Sequence, residues 1–281
     1  MSGRSFRIGV VAPSSRLEPA TAEAMAALVA GRYPDGRVEV VFHPQCFERW
    51  GHFAGTDARR AEAFLEVAND PAFDALWFGR GGYGAGRIVE PVMAGLEPAA
   101  RDKQYLGYSD AGAMLGALYG RGFERLAHGP MANDIRRTNG EAAATRALAW
   151  LVDADVASLE PSAASSKAPT AAFNLMMLSS IVGTPWQPDL AGHILYLEEV
   201  SEYMYRIDRA LFHVMSNERL RRIAGLRLGR CSDVPENDPD FAQTEEEIAR
   251  YWCDRAGVPY LGRADIGHDA GNRIVPFGRP A

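Results

Sequence analysis

Residues 104–119, Gln-Tyr-Leu-Gly-Tyr-Ser-Asp-Ala-Gly-Ala-Met-Leu-Gly-Ala-Leu-Tyr, contain a complete strand-to-helix unit. The apolar and aromatic residues at 104–108 predict a short buried strand, and the alanine- and leucine-rich stretch 111–119 predicts a buried helix. Ser109 stands at their junction. Strands and helices alternate in the same way before this unit, which predicts a parallel sheet covered by helices on both faces.

Further elements extend this pattern in both directions. Other strands are predicted at 7–12, 37–43, 73–78, 193–197 and 223–228, and other helices at 17–31, 57–69, 84–93, 174–183, 205–216 and 244–256. A stretch rich in serine, alanine and proline interrupts the series. We therefore expect an α/β protein with an N-terminal domain at 1–155, a linker at 156–171 and a C-terminal domain at 172–281.

The composition argues against several classes of protein. The net charge of −6 over 281 residues predicts no basic face for nucleic acid. The chain has no run of about 18 apolar residues, which predicts no membrane span. Cys46, Cys231 and Cys253 are widely spaced and no apolar signal core precedes the first strand, so we expect a cytoplasmic protein. No zinc-type spacing of Cys and His occurs, so we expect no metal site.

Ser109 has the surroundings of a nucleophile on a tight turn. Such a turn tolerates only small residues two positions before and after the nucleophile, and Gly107 and Ala111 satisfy this pattern. The N-terminus of the following helix offers N–H groups to an oxyanion. In the alternative interpretation Ser109 only caps that helix, with Asp110 favouring the helix dipole.

A glycine-rich segment, Gly-Arg-Gly-Gly-Tyr-Gly at 79–84, follows the strand predicted at 73–78. It matches the dinucleotide-binding pattern, in which Asp110 would bind a ribose hydroxyl. It could equally present backbone N–H groups to an oxyanion or a substrate carboxylate, or be a tight turn. Because dinucleotide loops usually follow the first strand of a fold, we favour the oxyanion or carboxylate loop.

A serine nucleophile needs a base and an acid that orients the base. His128 and His268 lie in glycine-flanked segments, whereas the other histidines, His43, His52, His193 and His213, belong to apolar elements. Glu198 and Glu199 directly follow an apolar strand, so one of them can face a cleft while the other faces solvent. Two solvated carboxylates are the alternative at that position.

These segments together resemble the LD-carboxypeptidases, a family of serine peptidases that includes muramoyltetrapeptide carboxypeptidases and microcin C self-immunity peptidases. The resemblance covers nearly the whole chain. Its motifs, in chain order, are 8–15 (IGVVAPSS), 80–84 (RGGYG), 107–110 (GYSD), 128–131 (HGPM), 183–185 (GTP), 194–199 (ILYLEE), 205–209 (YRIDR) and 267–268 (GH). Ala172-Phe173 departs from the glycine pair that is usual in the family before the residues that match Asn174-Leu175.

The resemblance implies a Ser109–Glu198–His268 triad, in which Glu199 takes the position of the family's aspartate. It implies an oxyanion hole formed by the backbone of Asp110 and of Gly81 or Gly82. It further implies a smaller β-rich C-terminal domain, a homodimer, no cofactor or metal, and a peptide substrate with an L,D amide bond, such as murein tetrapeptide in cell-wall recycling.

The substrate remains open at this stage. Arg80 and Tyr83 of the glycine loop are the candidate substrate-binding residues, and Arg80 or Arg87 could bind a terminal carboxylate. An aminoacyl-nucleotide substrate of the microcin C type is one alternative, for which an aromatic-lined pocket with Trp186, Tyr203 or Tyr205 would be needed. A nucleotide-binding protein that uses 79–84 and a non-catalytic relative are the others.

Overall fold

The computed structural model describes residues 4–279. Its strands are β1 (Phe6–Val11), β2 (Val38–Phe42), β3 (Ala75–Phe78), β4 (Gln104–Gly107), β5 (Leu126–His128), β6 (Thr170–Asn174), β7 (Ile194–Val200), β8 (Gly225–Ser232), β9 (Tyr260–Arg263) and β10 (Val275–Pro276). Its helices are α1 (Pro19–Arg32), α2 (Asp57–Asn69), α3 (Ala85–Gly95), α4 (Gly112–Gly120), α5 (Gly140–Asp153), α6 (Pro161–Ala164), α7 (Leu175–Ile181), α8 (Met204–Ser216) and α9 (Glu245–Ala256). Within residues 4–279, no helix is both long and apolar enough to cross a membrane.

The first sheet has six strands in the order β10-β5-β4-β3-β1-β2. Strands β1 to β5 pair in parallel, and β10 pairs antiparallel with β5 at the edge. All residues of β3 are buried, as expected for a central parallel strand covered on both faces. The predicted α/β fold with a parallel N-terminal sheet is confirmed.

The second sheet has four parallel strands in the order β6-β7-β8-β9. Apolar side chains of α7, α8 and α9 pack on this second sheet. They belong to one core cluster that also includes α2, α3 and α4, which pack on the first sheet. Phe277 follows β10 of the first sheet, and its ring lies 5.2 Å from that of Phe173 on β6 of the second sheet and 5.4 Å from that of Tyr119 on α4. Phe277 therefore connects the two sheets within this core.

Several elements were not predicted from the sequence. Strand β10 has two residues, too few to show a periodicity. The segment predicted as a linker, 156–171, holds a 3₁₀ turn at Val156–Ser158, the helix α6 and the first residues of β6. The proposed division at 155 and 172 stays a prediction.

Close packing between β8 and the segment after β9 requires a glycine in β8. A Cβ on Gly229 would lie 2.6 Å from Ile266 Cγ1, 2.7 Å from Ile266 O and 3.0 Å from Glu198 Cβ. The backbone N–H of Arg230 donates to Ile266 O at 2.9 Å, so the two segments cannot separate without losing this bond.

We predict that Gly229→Ala lowers the free energy of unfolding by about 1–3 kcal/mol, because an added methyl group overpacks the contact with Ile266. Gly86→Ala in α3 is the matched control, since its Cβ would meet nothing within 4 Å. Alanine is the better helix former, so this control should unfold at equal or higher denaturant concentration. Urea unfolding of both variants measures the difference, and equal midpoints for Gly229→Ala and the unchanged protein would contradict the prediction.

Candidate active site

Ser109 adopts a backbone conformation that few residues other than glycine adopt. Its φ is +57°, and it begins a 3₁₀ turn, Ser109–Ala111, between β4 and α4. The N-cap of α4 is Ala111, so Ser109 does not cap this helix. Gly107 must be small here, because a Cβ on it would lie 2.7 Å from Phe78 Cδ2. The tight turn expected from the sequence is present, and left-handed residues of this kind concentrate at functional sites.

The glycine loop lies directly against the Ser109 side chain. A Cβ on Gly81 would be 2.8 Å from Ser109 Oγ, and one on Gly82 would be 2.3 Å from Ser15 Oγ. The φ of Gly82 is +108°, which also favours glycine. The loop backbone can therefore approach whatever is bound to Ser109.

The carboxylate of Asp110 is buried and already bonded. Its Oδ2 accepts hydrogen bonds from Ser14 Oγ and, at 2.8 Å, from the backbone N–H of Ala85. Burial raises the pKa of Asp110 above the usual range. The side chain thus ties the Ser109 turn to the loop after β1 and to the start of α3. It is not open to a ribose, which argues against the dinucleotide interpretation of the glycine loop.

His268 and Glu198 form a buried pair. His268 Nδ1 lies 2.5 Å from Glu198 Oε2, and Glu198 has no exposed surface. Burial alone would raise the pKa of Glu198, but the charge of His268 lowers it to about 2. Burial likewise disfavours the imidazolium, yet the neighbouring Glu198 carboxylate raises the pKa of His268 above its usual value. The Nε2 of His268 has no hydrogen-bond partner among residues 4–279.

Glu199 points the other way along β7, as the alternation of strand side chains requires. Its Oε1 accepts from Asn174 Nδ2 at 2.7 Å, and its Oε2 accepts from the backbone N–H of Met176 at 2.9 Å. Burial raises the pKa of Glu199 to about 7. Of the two adjacent carboxylates, Glu198 is therefore the one that meets His268.

The loop that carries His268 is held on both sides. Arg137 Nη1 donates to His268 O at 2.7 Å, and the backbone N–H of Gly267 donates to Asn272 Oδ1 at 3.1 Å. Arg230 on β8 binds both carboxylate oxygens of Asp269, at 2.5 and 2.9 Å. These bonds fix the imidazole relative to both sheets.

Ser109 and His268 line one cavity of about 460 Å³. The lining residues are Arg80, Gly81, Gly82, Tyr108, Ser109, Met131, Asn133, Asp134, Arg136, Arg137, Val200 and His268. The structure therefore brings together the predicted serine, histidine, glycine loop and Arg80. No group of three or more metal-ligating side chains occurs in the described part of the chain.

Two predicted substrate contacts lie elsewhere. Tyr83 is 59% exposed and packs beside His52 and Phe53 outside this cavity. Arg87 is bound to the carboxylate of Asp57 at 2.6 and 2.9 Å. We infer that neither side chain reaches a group attached to Ser109.

Arg136 lines the cavity and was not singled out from the sequence. It is exposed, and it forms no ion pair or side-chain hydrogen bond within residues 4–279. The available signal was the Arg136-Arg137 pair, eight and nine positions after His128. The neighbouring Arg137 differs, because it is paired with Asp134 at 2.7 Å.

The chain is similar to several known proteins. Family profiles described as the LD-carboxypeptidase N-terminal domain and the LD-carboxypeptidase C-terminal domain match residues 8–129 and 168–281. The murein tetrapeptide carboxypeptidase of Pseudomonas aeruginosa is 28% identical over 247 residues, which are 83% of this chain and 80% of the relative.

Two solved structures share the fold. The muramoyltetrapeptide carboxypeptidase of Oxalobacter formigenes superimposes with a TM-score of 0.79 at 22% identity, covering 97% of this chain and 93% of that one. The microcin C7 self-immunity protein, in complex with aspartyl sulfamoyl adenosine, superimposes with a TM-score of 0.78 at 16% identity, covering 98% and 92%. The two profile matches together span most of the sequence, and the chain belongs to the LD-carboxypeptidase family.

Proposed function

We propose that this protein is a serine peptidase that cleaves the amide bond to a terminal D-amino acid, with murein tetrapeptide as the substrate to test first. Membership of the family and the name of the Pseudomonas aeruginosa relative support a peptidase that acts on murein peptides. One observation carries the serine mechanism: Ser109, on its left-handed turn, shares a cavity with His268, which is paired with Glu198.

In the proposed reaction Ser109 is the nucleophile, His268 is the general base and acid, and Glu198 orients His268. The Nε2 of His268 takes the proton of Ser109 Oγ while Glu198 stabilises the resulting imidazolium. Ser109 Oγ then forms a bond to the scissile carbonyl carbon, and backbone N–H groups of Asp110 and of Gly81 or Gly82 stabilise the oxyanion. The C–N bond then breaks as His268 gives the proton to the leaving amine. Water, whose proton His268 accepts, attacks the acyl carbon, and the bond to Ser109 Oγ breaks as His268 returns that proton to Ser109.

A carboxypeptidase must also recognise a terminal carboxylate, and the charges of the cavity suit that task. Asp134 is neutralised by Arg137, and Glu198 is paired with His268. Arg80 donates only to Arg16 O, at 3.1 Å, among the described residues. Arg80 and Arg136 thus leave an excess of positive charge beside Ser109, and arginine binds carboxylates through paired hydrogen bonds.

A nucleotide-containing substrate is less well supported. Tyr203 and Tyr205 stack at 5.4 Å, but they line another cavity, of about 590 Å³, together with acidic residues of 236–240. Tyr108 is the aromatic residue that lines the Ser109 cavity. A peptide therefore fits this cavity better than an aminoacyl nucleotide. A cytoplasmic location and a homodimer stay predictions.

We predict that Ser109→Ala lowers kcat for release of D-alanine from murein tetrapeptide by roughly 10⁴-fold or more, because no acyl-enzyme can form. Mass spectrometry of the products measures the rate. Ser180→Ala, at an exposed position of α7, is the matched control and should keep the activity of the unchanged protein. Equal turnover by Ser109→Ala and the unchanged protein would end the serine mechanism.

The pH dependence should distinguish Glu198 from Glu199. His268 acts as a base only when it is neutral, so activity should rise with pH through the pKa of His268, which Glu198 raises above the usual value of 6.5. Glu198→Gln removes this cause and leaves burial, which lowers the pKa. We predict that the acid limb of the kcat/KM profile moves to lower pH and that kcat falls by about 10⁴-fold.

Glu199→Gln is the control for that prediction, because glutamine retains the size and an acceptor oxygen of a carboxyl group that is partly protonated near neutral pH. Its acid limb should move much less and its kcat should change by less than about tenfold. The assignment of Glu198 fails if Glu199→Gln gives the larger loss and the larger shift of the limb.

We predict that Arg136→Ala lowers kcat/KM by about 10- to 100-fold for a tetrapeptide with a free terminal carboxylate, since a charge-assisted hydrogen bond contributes about 1.5–3 kcal/mol. The same peptide with a terminal carboxamide should lose little. Arg121→Ala, at the far end of α4 from Ser109, is the control. Equal losses for the acid and the amide would remove Arg136 from carboxylate recognition.

A further inference from the structure

A second histidine is buried beside the His268–Glu198 pair. His128 ends β5, is 1% exposed, and has no hydrogen-bond partner for either Nδ1 or Nε2 among residues 4–279. The Oε1 of the fully buried Glu198 is also without a partner in the described part of the chain. A buried polar atom that stays unpaired costs about 1–3 kcal/mol, and more if it carries charge. Two of these atoms, His128 Nε2 and Glu198 Oε1, can act as donor and acceptor, which indicates a contact between them.

The geometry identifies the contact. His128 Nε2 lies 3.9 Å from Glu198 Oε1, slightly farther than a hydrogen bond allows. Tyr108 separates His128 from His268, with its ring 5.5 Å from the first imidazole and 4.8 Å from the second. The charged groups around this site are Glu198 and His268 and, at the Tyr108 hydroxyl, Asp134 and Arg137.

Packing alone does not explain a histidine at this position. Val275 of β10 pairs with His128 in the sheet, and the neighbouring residue Ala127 is apolar and buried. An apolar side chain would fill the same space without burying two unpaired nitrogens. The Nε2 of His128 therefore serves the carboxylate that it faces.

We propose that His128 is a positioning residue: its Nε2–H donates to Glu198 Oε1 and so holds Oε2 on His268 Nδ1. This inference rests on the proposed function, because it concerns the acid of the same triad. A carboxylate anchored at one oxygen cannot rotate away from the imidazole at the other. In this role the Nε2 of His128 carries a hydrogen, and the side chain does not touch the substrate.

The rate at which a fluorophosphonate labels Ser109 tests the proposal without requiring the natural substrate. In this reaction Ser109 Oγ displaces fluoride from phosphorus while His268 takes the hydroxyl proton. His128→Gln places an amide N–H the same number of bonds from Cα as the ring Nε2, whereas His128→Asn places it where Nδ1 stands. We expect His128→Gln to label within about threefold of the unchanged protein, and His128→Asn and His128→Leu to label about 10- to 100-fold more slowly.

The controls separate a loss of positioning from a loss of folding or of function. Thermal unfolding identifies any variant that is not folded at the assay temperature. The ¹⁵N spectrum of the unchanged protein supplies an independent readout, since the proposal requires the proton of His128 on Nε2. A proton on Nδ1, equal labelling of His128→Leu and the unchanged protein, or equal slowing of His128→Gln and His128→Leu would overturn it. Absence of Ser109 labelling and of D-alanine release in the unchanged protein would instead contradict the proposed function, whichever tautomer is found.

Discussion

The buried negative charge of Glu198 is the constraint on which the arrangement of the site depends. A carboxylate with no exposed surface is stable as an anion only beside a compensating group, and His268 holds its pKa at about 2. Glu198 lies on β7 and His268 follows β9, so both residues of the pair come from the second sheet and the segment directly after it. Ser109 follows β4 of the first sheet, and the two sheets meet where Phe277, next to β10, packs against Phe173 of β6 and Tyr119 of α4.

The return of the chain to the first sheet gives the site its rigidity. After His268 the chain runs to β10, where Val275 pairs with His128 on β5. Before His268, Ile266 accepts the backbone hydrogen bond of Arg230 on β8. The imidazole thus lies on a short segment that is anchored to the second sheet at its start and to the first sheet at its end. Side chains held in this way can keep a reactive geometry that a free loop would lose.

The sequence predicted the strands and helices with a clear apolar pattern and the turn that requires small residues. Strands β1 to β4 and helix α2 follow from apolar runs, and the Ser109 turn follows from Gly107 and Ala111. It could not predict β10, because two residues show no period, and it could not separate Glu198 from Glu199. Adjacent strand residues face opposite sides, and the sequence alone does not show which side of β7 meets His268. The sequence also did not predict that Arg136 lines the cavity, because its position is set by the 3₁₀ turn at Ala132–Arg136.

The two adjacent glutamates, Glu198 and Glu199, can both be buried because their carboxyl groups differ in charge. Glu199 receives hydrogen bonds from Asn174 and from the backbone N–H groups of Met176 and Val200, which favour its anion, yet burial raises its pKa to about 7. Near neutral pH it is therefore only partly charged, whereas Glu198, with a pKa of about 2, is fully charged. Different pKa values of neighbouring carboxyl groups separate their roles. One balances the imidazolium, and the other joins β7 to the start of α7 with little added repulsion.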